Sequence, residues 1–513
     1  MISAFYLKLY VVFISFSMIT ATTRHINYIT SKEKRMHLLE KDRQLIILLN
    51  SYAIELQGKI DTLRGVATAF KERMNEANGR EVEYLSNPLK NFFLVRQMHE
   101  DWDPVKKFMQ QPVGQEQMKS IEKLHQDLPS QDDLKEASQA IFLITDAYDL
   151  EPKDVASGLV HGVQYSGNLS AKDCFALGKF FFQSGVASEW LITARDLLMK
   201  HTPKYLKVMG VTSQHITLLL ARSLIARGNV SSDREMLEKD SKPGETGTDF
   251  ESLELEEHPC LLSGRSKPTR LHCRYNTTSS PFLKLAPFRM EELSLSPYIV
   301  LYHNVLSDGE IEKLQRMSEP FLERSKIFTH DGGSTQVSPT RTADGVWLPH
   351  MNTELEDRLI LSRIALRIRD ITGLKLGRGG LMQFVKYGFG GHIKPHHDYF
   401  DFKLPNLEPT GDRIATFLFY LNNVLHGGAT AFTELNIAVQ PQKGSALFWY
   451  NMDGQSFDFD DLTFHGACPL ISGTKMVLTR WIYELDQMFL LPAVIPPRNR
   501  DYSKILPNSM WET

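Results

Sequence analysis

Three side chains whose types and spacing could bind one metal ion lie between residues 387 and 475. His396 and Asp398 are two positions apart in HHDY, and His465 follows much later in FHGACP. On an extended strand, residues i and i+2 point to the same side, so this imidazole and this carboxylate could contact one ion together. A distant second histidine would complete a set that leaves positions open on iron(II) for substrate and oxygen. Lys475 could be a fixed cation for an anionic co-substrate.

The H-x-D pattern is weak evidence by itself, because it also occurs at His99 and at His125 in charged, helix-like sequence. What favours His396 is the surrounding run of branched and aromatic residues, in LMQFVKYGF, DRIATFLFYLN and GSALFWYN, which predicts strands. The alternative is a histidine and an aspartate that are satisfied in a core or a turn. His397, between the two candidate ligands, is expected to point to the opposite side as a packed or surface histidine.

Length and composition are those of an ordinary globular protein. A chain of 513 residues predicts about two to four domains. Its hydrophobic content is 42%, its charged content is 23%, and its net charge is -3. This charge gives no reason to propose nucleic acid or an anionic membrane as a partner.

The N-terminus is typical of a secretory signal peptide over residues 1–21. A weakly positive start at Lys8 precedes an apolar core over residues 9–19, and cleavage is expected near Ala21. This core is too short to span a bilayer. Three glycosylation sequons agree with a secretory route, at Asn168, Asn229 and Asn276. The C-terminal sequence has no K-D-E-L-type signal, so retention in the endoplasmic reticulum would depend on another component.

The chain has four cysteines: Cys174, Cys260, Cys273 and Cys468. In an oxidising compartment we expect Cys260 and Cys273 to pair, because they close a short loop. Such a loop would stabilise the protein by about 3 kcal/mol.

Periodicity predicts two helical regions before a β-rich one. Residues 22–131 are predicted to be a helical N-terminal region. Within it, over about residues 30–75, apolar positions recur every three or four residues, which fits either an amphipathic helix in a bundle or a seam that pairs two copies. Residues 132–238 predict successive helices, and Cys174, Leu177, Gly178 and Phe181 fit the opening of a tetratricopeptide repeat.

An acidic linker is predicted at residues 239–259, a catalytic domain at residues 260–490 and a tail at residues 491–513. Within the catalytic domain we expect a helix capped by Ser307 and another over residues 353–373. The glycine- and hydroxyl-rich residues 329–345 fit a mobile lid or an ordinary surface loop equally well.

The motifs G-G-x-x-x-P-H-x-D, RIATFLFYL, GGATAF, KGSALFWYN and H-x-A-C-P, in this order, closely resemble the catalytic (alpha) subunit of collagen prolyl 4-hydroxylase. The resemblance implies a multidomain α + β protein. It has an N-terminal helical dimerisation region, a helical tetratricopeptide-like peptide-binding domain, and a C-terminal double-stranded β-helix (jelly-roll) domain. It also implies iron(II), 2-oxoglutarate, O2 and L-ascorbate, with protein disulfide isomerase as second subunit of an alpha2-beta2 tetramer in the endoplasmic reticulum lumen.

Roles at the active site follow from the resemblance. His396, Asp398 and His465 would bind iron, and Lys475 would pair with the far carboxylate of 2-oxoglutarate. Tyr387 and Thr430 would add hydrogen bonds, although Tyr387 could equally be a strand-packing residue. The resemblance also makes aromatic residues of the helical domain candidates for a polyproline platform, with ordinary core packing as the alternative: Phe180, Phe181, Phe182 and Trp190.

The sequence departs from the family pattern at three places. Ile393 stands where the family commonly has a tyrosine. The usual partner of Cys468 is absent, so Cys468 is free or differently paired. The helical peptide-binding stretch is a few residues shorter and poorer in tyrosine, so peptide preference could differ.

The function that the resemblance implies is hydroxylation of proline at C4 in collagen-like or other proline-rich secretory proteins. The reaction would be coupled to oxidative decarboxylation of 2-oxoglutarate to succinate. Two alternatives stay open: a prolyl 3- or lysyl hydroxylase of the same dioxygenase class, and an inactive subunit that binds proline-rich chains as a chaperone. Loss of a metal ligand would favour the inactive subunit, and all three candidate ligands are present.

Overall fold

The computed structural model describes eleven parts of the chain: residues 31–182, 186–200, 208–226, 260, 271–328, 335–338, 340–349, 354–377, 381–399, 411–452 and 459–487. The predicted signal peptide, acidic linker, C-terminal tail and Asn229 lie outside the described residues. The chain divides into two compact units, Met1–Asp133 and Leu134–Thr513. No helix in the described ranges is both long and apolar enough to cross a membrane.

The first unit is helical, as the periodicity predicts. Ser31 caps its long first helix by accepting a hydrogen bond from the backbone N–H of Lys34. Ile47, Leu49 and Ile54 of this helix are more than half exposed, and whether the helix pairs two copies stays a prediction. The helices of the unit are α1 (Lys32–Ala77), α2 (Glu81–Ser86), α3 (Pro88–Arg96), α4 (Trp102–Gln110) and α5 (Gln115–His125), with a π-helical turn at Gln97–Asp101.

The second unit begins within another helical segment, α6 (Gln131–Ala147). It continues through α7 (Pro152–Ala156), a hairpin of β1 (Leu159–Val160) and β2 (Val163–Gln164), α8 (Ala171–Phe180), α9 (Ala187–Leu198) and α10 (Ser213–Ala226). Gly178 lets α8 and α9 pack closely, because a Cβ there would lie 2.6 Å from the Leu191 side chain. The tetratricopeptide-like assignment of this segment stays a prediction.

The rest of the second unit is built from antiparallel strands, which the runs of branched and aromatic residues predict. The strands are β3 (Cys273–Asn276), β4 (Phe288–Leu295), β5 (Tyr298–His303), β6 (Glu323–Arg324), β7 (Lys326–Phe328), β8 (Thr335–Val337), β9 (Asp344–Leu348), β10 (Met382–Tyr387), β11 (Ile393–His396), β12 (Arg413–Tyr420), β13 (Thr430–Phe432), β14 (Ile437–Val439), β15 (Ala446–Tyr450), β16 (His465–Ala467) and β17 (Lys475–Tyr483). A nine-stranded sheet has the order β3-β4-β5-β15-β12-β17-β10-β9-β6, and a four-stranded sheet has the order β11-β16-β13-β14.

Alternate side chains of the nine-stranded sheet pack in two different cores. Phe384 and Leu478 face the helices α11 (Asp308–Ser318) and α12 (Leu355–Thr372). Their chain neighbours Val385 and Val477 point to the other face of the sheet. These two residues pack in the core that contains Phe432 of the four-stranded sheet. The helices therefore cover one face of the large sheet, and the small sheet lies against the other.

Both helices that cover the large sheet were predicted. Ser307 caps α11 in a capping box with Glu310. Gly373, in the left-handed conformation with φ of 74°, ends α12 where the sequence predicts it.

The disulfide prediction is wrong. The structure pairs Cys260 with Cys468, 208 residues away, with their Cα atoms 5.8 Å apart, a normal separation for a disulfide. Cys273 lies in β3 as an exposed free thiol, and Cys174 is a buried free thiol. The prediction considered only the separation of the cysteines along the sequence. The fold instead brings Cys468, which directly follows β16, next to Cys260. Cys468 is thus differently paired, one of the two outcomes left open.

Candidate metal and co-substrate site

Strand pairing brings the three predicted metal ligands together. In the four-stranded sheet, His396 of β11 lies directly opposite His465 of β16, and Asp398 follows β11 after one residue. One ligand atom from each of the three side chains lies within 4.8 Å of the other two. Nε2 of His396 is 3.4 Å from Oδ1 of Asp398, and Nε2 of His465 is 3.8 Å from Oδ2. This spacing allows one ion to contact all three.

Backbone carbonyls orient both imidazoles. Nδ1 of His396 lies 3.0 Å from the carbonyl oxygen of Lys394, and Nδ1 of His465 lies 2.9 Å from that of Thr463. Because a carbonyl oxygen can only accept, each neutral ring carries its proton on Nδ1 and leaves the lone pair of Nε2 free. Both Nε2 atoms face Asp398, so the ligating atoms are the ones that are unprotonated.

The protonation states suit a divalent cation. Burial raises the pKa of the Asp398 carboxyl, but His465 and His396 outweigh this effect and hold that pKa below its usual range. Burial lowers the pKa of His465 to about 4, although the charge of Asp398 opposes this shift. At neutral pH the site therefore presents an ionised carboxylate and a neutral His465 imidazole, the forms in which these side chains bind metals.

Residues that the sequence did not single out hold these ligands in place. The hydroxyl of Thr416, on β12, donates a 2.7 Å hydrogen bond to Oδ2 of Asp398. The ring of His465 packs edge-on against Trp449, with the centroids 4.7 Å apart, and lies 5.6 Å from the ring of Phe432. Thr416 and Trp449 occur inside apolar strand sequences, so spacing alone could not have identified them.

Lys475 is a buried ammonium at the start of β17. Lys475 lies opposite Tyr387 of the neighbouring strand β10, and it is 2% exposed. Its ammonium donates a 3.4 Å hydrogen bond to the hydroxyl oxygen of Thr430. Tyr420 donates to the same oxygen at 2.8 Å. Burial lowers the pKa of Lys475 to about 7. Among the described residues no carboxylate lies within ion-pair distance of Lys475, and a buried cation of this kind favours an anionic ligand.

One cavity of about 700 Å³ connects the two parts of the site. His396, Asp398 and His465 line it, as do Lys475, Thr430 and Tyr387. Ile393, where the family commonly has a tyrosine, also lines it. A volume of this size is typical of small-molecule sites.

His397 lines the cavity without joining the three candidate ligands. Its ring stacks on Tyr399, with the centroids 4.6 Å apart, and lies 4.8 Å from the ring of Phe464. His397 is thus packed, one of the two forms expected, but it lines the same cavity as the candidate ligands instead of pointing to the opposite side.

Two predicted accessory sites do not fit the structure. Trp190 is completely buried and Phe181 is 4% exposed, both in the core of the helical segment. Both rings are core residues, the alternative left open, so the platform prediction is wrong for these two residues, whereas Phe180 and Phe182 are half-buried and stay candidates. Asn276 is buried, and its side-chain nitrogen donates to the carbonyl of Ile371 at 2.9 Å. A glycan would be attached to that nitrogen, so the predicted glycosylation of Asn276 is also wrong. Asn168 is exposed, and its glycosylation stays a prediction.

Two family models match parts of the chain, and known proteins resemble most of it. The prolyl 4-hydroxylase alpha-subunit N-terminal region matches residues 31–162, and the 2OG-Fe(II) oxygenase superfamily matches residues 382–483. The chain is 28% identical to prolyl 4-hydroxylase subunit alpha-2 of Gallus gallus, covering 91% of this chain and 95% of that protein. It is 28% identical to subunit alpha-2 of Caenorhabditis elegans, covering 91% and 94%, and 27% identical to subunit alpha-1 of Mus musculus, covering 92% and 96%.

The oxygenase match spans β10 to β17, and so includes all three candidate metal ligands and Lys475. Iron(II) and 2-oxoglutarate are the metal and co-substrate of that superfamily, and they are the pair that the sequence predicts for this site. The chain therefore carries a region similar to the N-terminal region of prolyl 4-hydroxylase alpha subunits and a 2OG-Fe(II) oxygenase domain, and over nine-tenths of its length it is similar to prolyl 4-hydroxylase alpha subunits.

Proposed function

We propose that this chain is a catalytic subunit that hydroxylates proline at C4 in collagen-like or other proline-rich secretory proteins. The reaction converts 2-oxoglutarate and O2 into succinate and carbon dioxide as the proline is hydroxylated. The observation that carries the proposal is the convergence of His396, Asp398 and His465 on the cavity that Lys475 also lines. Relatives over nine-tenths of the chain are prolyl 4-hydroxylase alpha subunits.

In this proposal the three side chains hold iron(II) through Nε2 of the two histidines and the carboxylate of Asp398. The donor set fits the ion, since Nε2 of both rings is free and the buried carboxylate is ionised. When bound, iron(II) supplies the activation of O2. Thr416 holds the carboxylate in position, and Trp449 and Phe432 exclude water from His465.

Lys475 binds the far carboxylate of 2-oxoglutarate in this proposal, with Thr430 as a hydrogen-bond partner beside it. The ammonium has no carboxylate partner among the described residues, and it lies 5.4 Å from the ring of Tyr387 and 5.8 Å from the ring of Tyr420. These rings close the pocket around one point charge. A compact dicarboxylate therefore fits better than a monocarboxylate, because the far carboxylate is the group that Lys475 pairs with.

We assign the remaining parts of the chain by the same family relationship. Residues 22–131 form the dimerisation region, residues 132–238 a tetratricopeptide-like peptide-binding domain and residues 260–490 a jelly-roll oxygenase domain. The protein acts in the endoplasmic reticulum lumen after removal of residues 1–21. Protein disulfide isomerase is its second subunit, and L-ascorbate restores iron(II) after uncoupled turnover. The match of residues 31–162 to the N-terminal region of the family supports the first of these assignments.

The test is an assay of the full chain with 2-oxoglutarate, iron(II), ascorbate and a (Pro-Pro-Gly) repeat peptide. We expect succinate release that depends on the peptide, together with an equal amount of 4-hydroxyproline identified by chromatography of the hydrolysed peptide. 3-Hydroxyproline in its place, or peptide-independent succinate only, would contradict the proposal. His465→Ala should lose both products, whereas Lys443→Gln, an exposed lysine paired with Asp308, should retain them.

A further inference from the structure

The cavity has far more basic than acidic side chains. Six basic residues line it against two carboxylates, Glu323 and Asp398. The basic residues are Arg324, Lys326, Arg341, Lys394, Arg413 and Lys475. Iron(II) and 2-oxoglutarate carry opposite charges of equal size, so the proposed reaction components leave this imbalance unchanged. A cavity of one charge sign attracts ligands of the opposite sign.

Several of the basic groups have unused hydrogen-bonding capacity. Nη2 of Arg341 donates to Oε1 of Gln383 at 3.0 Å, but its Nε is buried without a hydrogen-bond partner in the part of the chain that the structure describes. The same holds for Oγ of Ser325 and for Nε and Nη1 of Arg324. Nη2 of Arg324 lies 3.7 Å from the carboxylate of Glu136, which is a loose contact. Buried donors without acceptors are rare in native proteins.

Space is left beside these donors by a glycine. A Cβ on Gly345 would lie 2.9 Å from Oγ of Ser325 and 3.9 Å from Nε2 of Gln383. Gly345 lies on β9, opposite Val385 of β10 and Glu323 of β6. The missing side chain therefore opens the cavity at the place where Ser325 and Gln383 meet. We call Arg324, Ser325, Arg341, Gln383 and Lys394 the basic subsite.

Lys394 connects the basic subsite to the metal site. It is half-buried, lines the cavity, and forms no ion pair among the residues described. Its backbone carbonyl is the one that orients His396, and its backbone N–H donates to the carbonyl of Thr340 at 2.9 Å, next to Arg341. A peptide whose proline reaches the metal would therefore have neighbouring residues close to Lys394 and Arg341.

We propose that the basic subsite binds a carboxylate side chain of the peptide substrate, so that the enzyme prefers prolines with a nearby aspartate or glutamate. The proposal rests on the proposed function and adds the charge of the substrate to it. A guanidinium and an ammonium with free donors match a carboxylate in charge and in hydrogen bonding. The backbone carbonyls of a neutral proline-rich segment can accept hydrogen bonds from these donors but leave their positive charge unbalanced.

The experiment compares three peptides of equal length that differ only beside the target proline, with glutamate, glutamine or lysine there. For the full chain we expect kcat/KM for the glutamate peptide to exceed that for the lysine peptide by about tenfold. The difference should shrink at high salt, because screening weakens contacts between charges. Lys394→Glu should reverse the order of the glutamate and lysine peptides. Lys443→Glu, the same charge change outside the cavity, should leave the order as in the wild type.

Equal kcat/KM for the three peptides, or the same order in Lys394→Glu as in the wild type, would overturn the proposal. Calorimetric binding of the three peptides tests the charge preference even where turnover fails. Equal Kd values overturn that preference, whereas loss of all peptide-dependent turnover overturns the proposed function instead. Ascorbate is a second source of negative charge. If Lys394→Glu changes only the ascorbate requirement, the subsite binds a free acid and the substrate preference is wrong.

Discussion

The hydroxyl of Tyr148 donates a 2.8 Å hydrogen bond to the carbonyl oxygen of Pro469, although the two residues are 321 positions apart. Tyr148 follows α6, and Pro469 follows β16, the strand that starts with His465. Around this bond Ile144 and Ala147 pack with Ala429, the neighbour of Thr430. The end of α6 therefore supports both the segment that follows His465, a candidate metal ligand, and the one that precedes Thr430.

Tyr148→Phe should weaken 2-oxoglutarate binding while leaving the iron ligands in place. The substitution removes one buried hydrogen bond, which is worth about 1 kcal/mol, and loosens the packing beside Gly427, where an added Cβ would lie 2.9 Å from the Tyr148 hydroxyl. We expect KM for 2-oxoglutarate to rise severalfold with a smaller change in kcat. Tyr298→Phe, the same change on β5, is the control. An unchanged KM in Tyr148→Phe would show that α6 does not position the co-substrate pocket.

Thr416→Val should reduce the affinity for metal. The hydroxyl that is lost donates to Asp398 at 2.7 Å, and removal of such a supporting hydrogen bond typically costs about 10- to 100-fold in metal affinity. Titration of the chain with manganese(II), followed by electron paramagnetic resonance, measures this loss. Thr479→Val, on β17 in the same cavity, should bind manganese(II) like the wild type. Equal affinities for Thr416→Val and wild type would count against the position assigned to Asp398.

Binding of 2-oxoglutarate should take up a proton above neutral pH. Burial lowers the pKa of Lys475 to about 7, so the amine is largely neutral at pH 8 in the free protein, and the dianion binds its charged form. We expect the affinity to fall by up to about tenfold for each pH unit above this pKa. Calorimetry at pH 8 in two buffers with different ionisation enthalpies counts the proton. Identical heats in both buffers would exclude this uptake.

The lowered pKa of Lys475 also determines whether its contribution to stability rises or falls with pH. The folded-state pKa of Lys475 is lower than the unfolded value, so between about pH 7 and pH 10 the unfolded chain binds more protons than the folded one at this group. Its contribution to the free energy of unfolding therefore rises with pH in that window. This contribution is measured by comparing the free energies of unfolding in urea of the wild type and Lys475→Met at pH 7 and pH 9. A difference between the two proteins that does not change with pH would contradict the shift.

Peptide mapping under non-reducing conditions should find Cys260 linked to Cys468. Cys273 should react with an alkylating agent before reduction, because it is exposed and free. Cys260→Ser should destabilise the protein by up to about 5 kcal/mol, the loss expected for a loop of this length, whereas Cys273→Ser should have little effect. A peptide that links Cys260 to Cys273 would restore the prediction made from the sequence.

The convergence of His396, Asp398 and His465 could be predicted from sequence because their surroundings were strongly β-forming and their residue types were specific. The fold of the region followed from the same runs, as did the helix ends at Ser307 and Gly373. The disulfide could not be predicted, because the approach of Cys468 to Cys260 depends on how distant elements pack. Burial of Trp190 could not be predicted for a related reason, since an aromatic ring on a helix fits a core and a peptide platform equally well until its neighbours are known.

Binding of a single iron(II) ion by His396, Asp398 and His465 is the property on which the proposed function depends. The most direct measurement is the iron content of the full chain after equilibration with iron(II) and removal of unbound metal, for the wild type and for His396→Ala, Asp398→Ala and His465→Ala. We predict one iron per chain in the wild type and its loss in each variant, with folded structure retained by circular dichroism. Iron bound equally by the wild type and by His465→Ala would contradict this assignment.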